Sequence, residues 1–346
     1  MENKRELMGK FLKNKEADRV PFSFWHHMAS PPGPRKDLFR ALEDEEVYDR
    51  VIQGHIKMYE TMQPDFMKLM SDGFFGHPGL RKIEVNSAED LYKLEPIGEN
   101  HPWIVKQVDF VNQLNSLFHD DVYTFYTIFS PINSIRLHFQ SFEGDPEKFP
   151  RLFLENPEAM AYAAEIIAKD TNILIEKIYE QVNIDGLYYS VQEIQDDRAD
   201  KAFHEKYVHP TDLNVITTIK KFSDNNILHI CGYKEYTNDL SLFTKYDLNI
   251  INWATYTEQI SLREGRKLFK DKIVLGGFNN NLGTVLDSGT DEEIAEHIKN
   301  LISENGTKGI ILGADCTVNP DISSERYQLI KDCLIKYSKS DEGKLF

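Results

Sequence analysis

Three residues with soft ligand atoms lie at the ends of two apolar runs. His229 and Cys231 end one run, and Cys316 follows another run far downstream. An imidazole and two thiolates are a ligand set that zinc favours. We therefore predict a zinc site formed by His229, Cys231 and Cys316. The alternative is that both cysteines are small buried core residues, which is a common environment for cysteine.

The third cysteine of the chain, Cys333, has the sequence context of a core residue. It lies on the apolar face of a helical pattern near the C-terminus. No fourth protein ligand is evident from the sequence. Glu193, Asp315, a water molecule or a substrate sulfur could complete the site, and a catalytic zinc needs one exchangeable position.

Eight short apolar runs alternate with amphipathic segments along the chain. The runs cover residues 20–25, 66–70, 122–129, 186–190, 226–232, 250–254, 273–278 and 309–313. Helical periodicity is clearest at 156–179, 210–222 and 292–304. Continuous apolar runs bounded by turn residues are typical of parallel strands buried on both faces. The pattern predicts an α/β protein, a single (β/α)8 TIM barrel over residues 1–346 with extra helices in the 73–121 region.

Polar side chains follow most of the predicted strands, where a barrel of this kind carries its active site. We predict catalytic roles for His27, Asp72, Ser190 and Glu193, and cofactor binding by His26, Trp253 and Asn279. Adjacent strand residues face opposite sides, so at most one of the two histidines is expected to enter the site. The alternative for Asp72 and Asn279 is that they form turns. The proline-rich segment 30–34 is predicted to be a loop at the barrel mouth.

The composition excludes several classes of protein. The 346-residue chain has a net charge of −16, which argues against nucleic acid as a partner. No apolar stretch is long enough for a membrane span, so we expect no membrane insertion. Few cysteines and no apolar N-terminal signal favour a cytoplasmic location. The sequence contains neither a P-loop nor a Gly-x-Ser-x-Gly elbow.

Several segments together resemble the uroporphyrinogen decarboxylase superfamily. They are 5–8, 17–21, 227–232, 274–278 and 311–316 with Asn319-Pro320. The resemblance extends over essentially the whole chain. It implies a (β/α)8 barrel with its active site at the mouth.

Two branches of this superfamily catalyse different reactions, and the sequence has features of both. The zinc methyltransferases, which move methyl groups from methyl-corrinoid proteins to a thiol such as coenzyme M, carry His-x-Cys and a distant Cys, as this chain does at His229, Cys231 and Cys316. Cobalamin-independent methionine synthase has a similar site with an added Glu, where this chain has Asn252-Trp253.

True uroporphyrinogen decarboxylases carry an arginine-rich motif after the first strand, which grips the carboxylates of the substrate. This chain has Phe24-Trp25-His26-His27-Met28 at that position. Those enzymes also have a histidine after the eighth strand, where this chain has Ala314-Asp315-Cys316. Asp72 and Ser190 nevertheless align with the catalytic Asp and a substrate-binding Ser of the decarboxylases.

The resemblance therefore favours zinc-dependent methyl transfer, with a methyl-corrinoid as donor substrate and a small-molecule thiol as acceptor. A corrinoid protein and a second copy of the chain, in a homodimer, are the expected macromolecular partners. The first alternative is decarboxylation of a tetrapyrrole, in which Asp72 would stabilise a protonated pyrrole. The second is a non-catalytic barrel with a structural zinc that binds a corrinoid or a partner protein.

Overall fold

The computed structural model describes residues 3–29, 35–232, 236–270 and 272–339. The predicted loop 30–34 lies outside the described residues. The strands are β1 (Phe66–Leu69), β2 (Tyr123–Phe129), β3 (Gly186–Val191), β4 (Ile227–Ile230), β5 (Ile250–Trp253), β6 (Ile273–Phe278) and β7 (Ile310–Ala314). The α-helices are α1 (Lys4–Leu12), α2 (Glu45–Met62), α3 (Pro102–Phe118), α4 (Pro131–Leu137), α5 (Lys148–Glu155), α6 (Pro157–Gln181), α7 (Lys201–Tyr207), α8 (His209–Lys220), α9 (Thr255–Glu258), α10 (Leu262–Leu268), α11 (Val285–Ser288), α12 (Asp291–Asn305) and α13 (Ser324–Ser338).

The strands form one parallel sheet in which chain order and spatial order are the same, β1-β2-β3-β4-β5-β6-β7. Helices lie between successive strands, with only the short 3₁₀ helix Leu240–Phe243 between β4 and β5, and most strand residues are buried on both faces. Seven of the eight predicted strands are confirmed in this way. Their carboxyl ends meet at one edge, which is where the predicted site residues were expected to lie.

The first predicted strand, residues 20–25, is not a strand in the structure. It makes a single parallel bridge, between Phe22 and Leu312 of β7. The ladder is interrupted because Pro21 has no N–H to donate. In addition, the backbone N–H of Phe22 donates to the Asp65 carboxylate at 2.8 Å. The expectation of eight strands is therefore corrected to seven strands and one bridge.

The bridge segment nevertheless lies between the two edges of the sheet. The backbone N–H of Ser23 donates to the carbonyl of Leu312 at 3.0 Å, and the N–H of Asp65 donates to the carbonyl of Phe22 at 3.0 Å. Arg19 holds Asp65 in a buried bidentate ion pair with two 2.6 Å hydrogen bonds. The segment carries His26 and His27 to the carboxyl-end edge of the sheet.

The helical predictions agree with the structure. The periodic segments 156–179, 210–222 and 292–304 are α6, α8 and α12. Short 3₁₀ helices at Pro78–Lys82 and Ala88–Lys93 precede α3, so the 73–121 region does hold extra helices. Cys333 is buried in α13, as expected of a core residue. Among the described helices, none combines the length and apolar character that crossing a bilayer requires.

Candidate metal centre

His229, Cys231 and Cys316 converge at the carboxyl-end edge of the sheet. One ligand atom from each side chain lies within 4.8 Å of the other two. The Sγ atom of Cys316 is 3.7 Å from Nε2 of His229. His229 is buried, and both cysteines are half-buried. The spacing in the sequence thus corresponds to a real cluster in space.

The local backbone explains why these side chains meet. His229 lies on β4, and Cys231 follows the end of that strand, where its N–H still bonds to the carbonyl of Val191 at 2.9 Å. The extended backbone therefore continues, and residues two apart point to the same side. Cys316 lies two residues after β7, and the N–H of its neighbour Asp315 bonds to the carbonyl of Phe278 at 2.9 Å.

The orientation of the His229 ring is fixed by Asn252 on β5. The side-chain amide of Asn252 donates to the backbone carbonyls of Leu275 and Ala314, at 2.8 and 3.1 Å. Its Oδ1 atom must therefore be an acceptor. This oxygen accepts from Nδ1 of His229 at 2.5 Å and from the Tyr188 hydroxyl at 2.8 Å. With Nδ1 bonded to Asn252, Nε2 is the ring nitrogen directed towards the cysteines and the one placed to bind a metal ion.

The two thiols have opposite pKa shifts. A hydrogen bond from Cys231, helped by His229 and Lys68, holds the pKa of Cys316 well below its usual value despite burial. The same hydrogen bond and burial raise the pKa of Cys231 well above its usual value. The pair therefore shares one proton, which a metal ion would displace.

The donor set fits a zinc ion. Zinc bonds of about 2.0–2.3 Å to nitrogen and sulfur in a tetrahedron place the donors roughly 3.3–3.8 Å apart. The observed spread of up to 4.8 Å needs only small side-chain rotations to reach this geometry. Three protein ligands leave a fourth position for another group. That arrangement is typical of a catalytic zinc, because structural zinc sites have four protein ligands.

The two carboxylates proposed as a fourth ligand are engaged elsewhere. Glu193 accepts a hydrogen bond from the N–H of Asp239 at 2.5 Å, and burial raises its pKa to about 7. Asp315 accepts from the Thr255 hydroxyl at 2.7 Å and from the N–H of Tyr256 at 2.9 Å. Burial raises the pKa of Asp315 to about 6. Neither belongs to the cluster of converging ligand atoms found among the described residues.

His27 and Asp72 form a second polar pair near the cluster. Nδ1 of His27 lies 3.0 Å from Oδ1 of Asp72, and the N–H groups of Met28 and Ala29 donate to Oδ2 at 2.6 and 3.1 Å. Burial alone would raise the pKa of Asp72, but His27 and these hydrogen bonds outweigh it, so the pKa is lowered. Burial alone would lower the pKa of His27, but Asp72 and the Cys316 thiolate outweigh it, so the pKa is raised.

His26 makes a different contact. Its Nδ1 atom lies 3.1 Å from the carbonyl of His27, and burial lowers its pKa. It lines a cavity of about 210 Å³ with Lys57 and Asp321. His27 lines part of the same cavity. The hydrogen bond to Asp72 is made by His27, and both histidines line this cavity.

Ser190 is placed beside the cluster. It is buried on β3 and is in register with His229 of β4. Paired residues in adjacent parallel strands face the same side of a sheet, so Ser190 and His229 both face the interior. The structure thus brings Ser190, His27 and Asp72 to the same end of the sheet as the three ligand atoms.

Trp253 and Asn279 do not face the cluster. The indole N–H of Trp253 donates to the carbonyl of Ile260 at 2.9 Å, and the ring packs against Gly265 of α10 on the outside of the sheet. Because Asn252 points inwards, its neighbour Trp253 must point outwards. Oδ1 of Asn279 accepts from the N–H of Asn281 at 3.0 Å, which forms a turn. These positions argue against the predicted cofactor contacts.

Three further residues lie in the interior, Lys68, Tyr188 and Asn252, and the sequence pattern assigned none of them a role in the site. The Lys68 ammonium on β1 lies 3.7 Å from the centre of the Tyr188 ring and 4.8 Å from that of Trp25. Burial lowers the pKa of Lys68 to about 8, against the opposing effect of Cys316, Cys231 and Asp72. A single charge inside an otherwise apolar run was the signal that marked Lys68 in the sequence.

The model of the family described as uroporphyrinogen decarboxylase (URO-D) matches residues 78–337, which is more than half of the sequence. The chain belongs to the URO-D family. The resemblance noted in the sequence is thereby confirmed, and the matched region contains all three members of the ligand cluster.

Individual relatives are methyltransferases. The chain is 22% identical over 261 residues to the methylcobamide:CoM methyltransferase MtbA of Methanosarcina acetivorans, covering 75% of this chain and 72% of that protein. A solved methyltransferase from Methanosarcina mazei superposes with a TM-score of 0.70 at 12% identity, over 97% of this chain and 99% of that chain. The B12-independent methionine synthase from Shewanella sp. W3-18-1 gives a TM-score of 0.55 at 14% identity, over 92% and 96%. The structural similarities establish the shared fold.

Proposed function

We propose that this URO-D family member is a zinc-dependent methyltransferase that moves a methyl group from a methyl-corrinoid to a thiol. In the overall reaction the acceptor sulfur forms a bond to the methyl carbon. The carbon–cobalt bond breaks, its electron pair stays on cobalt, and the thiol proton passes to solvent. The similarity to MtbA supports this choice of donor and acceptor.

The observation that carries the proposal is the convergence of His229, Cys231 and Cys316, with Nε2 of His229 directed at the two sulfurs. Zn²⁺ held by these residues would lower the pKa of a thiol at its fourth position and so supply a nucleophilic sulfur at neutral pH.

The chain's own residues would prepare the site for this reaction. Asn252 would hold the His229 ring in the orientation that directs Nε2 at the metal ion. Burial of His229 keeps competing water from that side of the centre. The half-buried cysteines face the end of the sheet from which a substrate would approach.

The first test is the zinc content of the purified protein. We expect about one zinc per chain in the wild type, and its loss in Cys231→Ser and in Cys316→Ser. Cys333→Ser is the matched control, because Cys333 is buried in α13 away from the cluster and should leave the zinc content unchanged. A freshly reduced, unchelated wild-type sample without zinc would refute the metal site.

The second test is methyl transfer from methylcobalamin to coenzyme M. We expect turnover by the zinc-loaded wild type and none by Cys316→Ser. A protein that binds zinc tightly but transfers no methyl group to any small thiol would instead support a structural zinc in a binding protein. Turnover of a porphyrinogen would support the decarboxylase alternative.

The contacts of Asp72 argue against the alternative in which this residue stabilises a protonated pyrrole during decarboxylation. That alternative needs Asp72 to face a pyrrole. Both carboxylate oxygens of Asp72 are already engaged, one by His27 and the other by two backbone N–H groups. The pair is better placed to fix the segment that carries His27.

A further inference from the structure

Lys68 is a buried cation without an anionic hydrogen-bond partner in the part of the chain that the structure describes. It lies on β1 with 4% of its surface exposed. Two aromatic rings, Tyr188 and Trp25, pack around its ammonium. Within residues 3–29, 35–232, 236–270 and 272–339 it has neither a hydrogen-bond acceptor nor an ion pair. Burying a charge in this way is costly unless something compensates it.

The charged and titratable groups that face Lys68 define what that compensation can be. They are the thiols of Cys231 and Cys316, the Asp72 carboxylate, His27 and Tyr188. Asp72 is already neutralised by its contacts with His27 and backbone N–H groups. Tyr188 stays protonated, because burial raises its pKa well above the usual value. When a metal ion holds them as thiolates, the two cysteine sulfurs are therefore the anions whose charge Lys68 can offset.

A neighbouring donor also lacks an acceptor. The indole Nε1 of Trp25 is buried and has no hydrogen-bond partner in the described part of the chain. The Trp25 ring contacts Tyr188 edge-on at 5.4 Å, so it belongs to the same layer of the interior. Two donor groups without acceptors, an ammonium and an indole N–H, thus lie next to each other in the barrel interior.

The charge balance of the metal centre indicates a role for this cation. A divalent ion is neutralised by the thiolates of Cys231 and Cys316. Binding of an acceptor thiol as its anion would bring one negative charge into a site of low dielectric constant. Such a charge needs a nearby cation. The Lys68 ammonium lies 3.7 Å from the centre of the Tyr188 ring, and that ring packs against His229 with the two ring centres 5.4 Å apart.

We propose that Lys68 is the counter-charge of the metal centre and favours binding of the acceptor thiol as its anion. This inference rests on the proposed function. In the binding step the S–H bond of the thiol would break, its sulfur would bond to the metal ion, and the proton would be released to solvent. Lys68 is a positioning residue in this scheme, since it acts through the charge it places beside the sulfurs.

The test is thiol binding to cobalt-substituted protein. Co²⁺ takes the same ligands as zinc, and its thiolate charge-transfer absorption reports each added sulfur. The probe is 2-mercaptoethanol, whose only ionisable group is the thiol. Lys68→Met keeps the length of the side chain and removes the charge, and Lys68→Arg keeps the charge. Lys57→Met is the matched control, because it removes the charge of an exposed lysine that lines the cavity beside His26.

We expect Lys68→Met to bind one cobalt per chain and to bind 2-mercaptoethanol about tenfold or more weakly than the wild type at neutral pH. The pH at which thiol binding is half-maximal should rise in Lys68→Met, stay unchanged in Lys57→Met and be partly restored in Lys68→Arg. A merely structural role would not shift this pH profile. Metal content and the thermal midpoint show whether each variant is folded.

The possible results separate this inference from the proposed function. Wild-type affinity and an unchanged pH profile in folded Lys68→Met would overturn the role of Lys68 and leave the proposed function standing. Failure of the cobalt-loaded wild type to bind any thiol would overturn both. An equal loss of affinity in Lys57→Met would show that the effect comes from net charge, which also overturns the specific role of Lys68.

Discussion

Removal of the Asn252 side chain should break the hydrogen bonds that connect His229 to the strands of the sheet. In Asn252→Ala, His229 loses the acceptor that directs its ring, and Tyr188 loses the acceptor for its hydroxyl. The carbonyls of Leu275 and Ala314 lose their side-chain donor as well. Loss of the partner that orients a metal-binding histidine typically weakens metal affinity about 10–100-fold. We expect a change of this size in the zinc dissociation constant.

The same variant should also lose stability. Four polar groups lose their partner in a part of the barrel where Asn252 itself is fully buried. Each buried unsatisfied group costs about 1–3 kcal/mol, and water entering the cavity would recover part of this cost. We expect the free energy of unfolding of the metal-free protein to fall by about 3–6 kcal/mol. Urea unfolding of the metal-free protein measures this term separately from zinc affinity.

Two comparison variants make the Asn252 experiment decisive. Asn252→Asp keeps an acceptor for His229, so it should retain zinc affinity within about tenfold of the wild type while losing stability at the two carbonyls. Asn281→Ala changes an exposed asparagine in the turn after β6 and should alter neither property. Competition with a chelator gives the zinc affinities. A folded Asn252→Ala protein with wild-type zinc affinity would refute the idea that Asn252 orients His229.

Two further predictions concern the groups around the site. The folded-state pKa of Asp72 is lowered and that of His27 is raised, so their stabilisation is complete between about pH 4 and 6.5. It is lost as pH falls below the usual Asp value, and it also declines as pH rises through the raised pKa of His27. Asp72→Asn should cost about 1–3 kcal/mol at pH 5.5, and the difference from wild type in urea unfolding should shrink towards pH 3; a constant difference across this range would contradict the ion pair. In Gly265→Ala the added Cβ would lie 2.2 Å from the Trp253 ring, so the thermal midpoint should fall by several degrees with zinc content unchanged; an unaltered midpoint would show that the ring has room to move.

Most of the sheet could be predicted because a buried parallel strand appears in the sequence as a continuous apolar run between turn residues. The run 20–25 has the same pattern but forms only a bridge. Its outcome was decided by Pro21, which has no N–H, and by the Asp65 side chain, which captures the N–H of Phe22. Asp65 is 43 residues away from Phe22 along the chain. A competition between a side chain and a strand edge at that distance is not visible in a local pattern.

The metal cluster was predictable and the residues behind it were not, for a similar reason. His229 and Cys231 are two apart, so their shared direction follows from strand geometry alone. The choice between Asn252 and Trp253 depends instead on the register of β5 against β4. The structure pairs Asn252 with His229, which turns Asn252 inwards and Trp253 outwards. A shift of one residue in this register would exchange the two faces of β5. The register cannot be read from one sequence alone.

The polar residues in the barrel interior form a connected path that ends at the metal centre. The Lys68 ammonium lies on the face of Tyr188, the Tyr188 hydroxyl donates to Asn252, and Asn252 accepts from His229. Barrel interiors of this type are normally filled with branched aliphatic side chains, which need no partners. A buried polar path costs stability unless each member is satisfied, and here Lys68 alone depends on a group outside the path. The arrangement is therefore suited to support an anionic sulfur centre, because the buried Lys68 charge lies on the Tyr188 ring, which packs against His229.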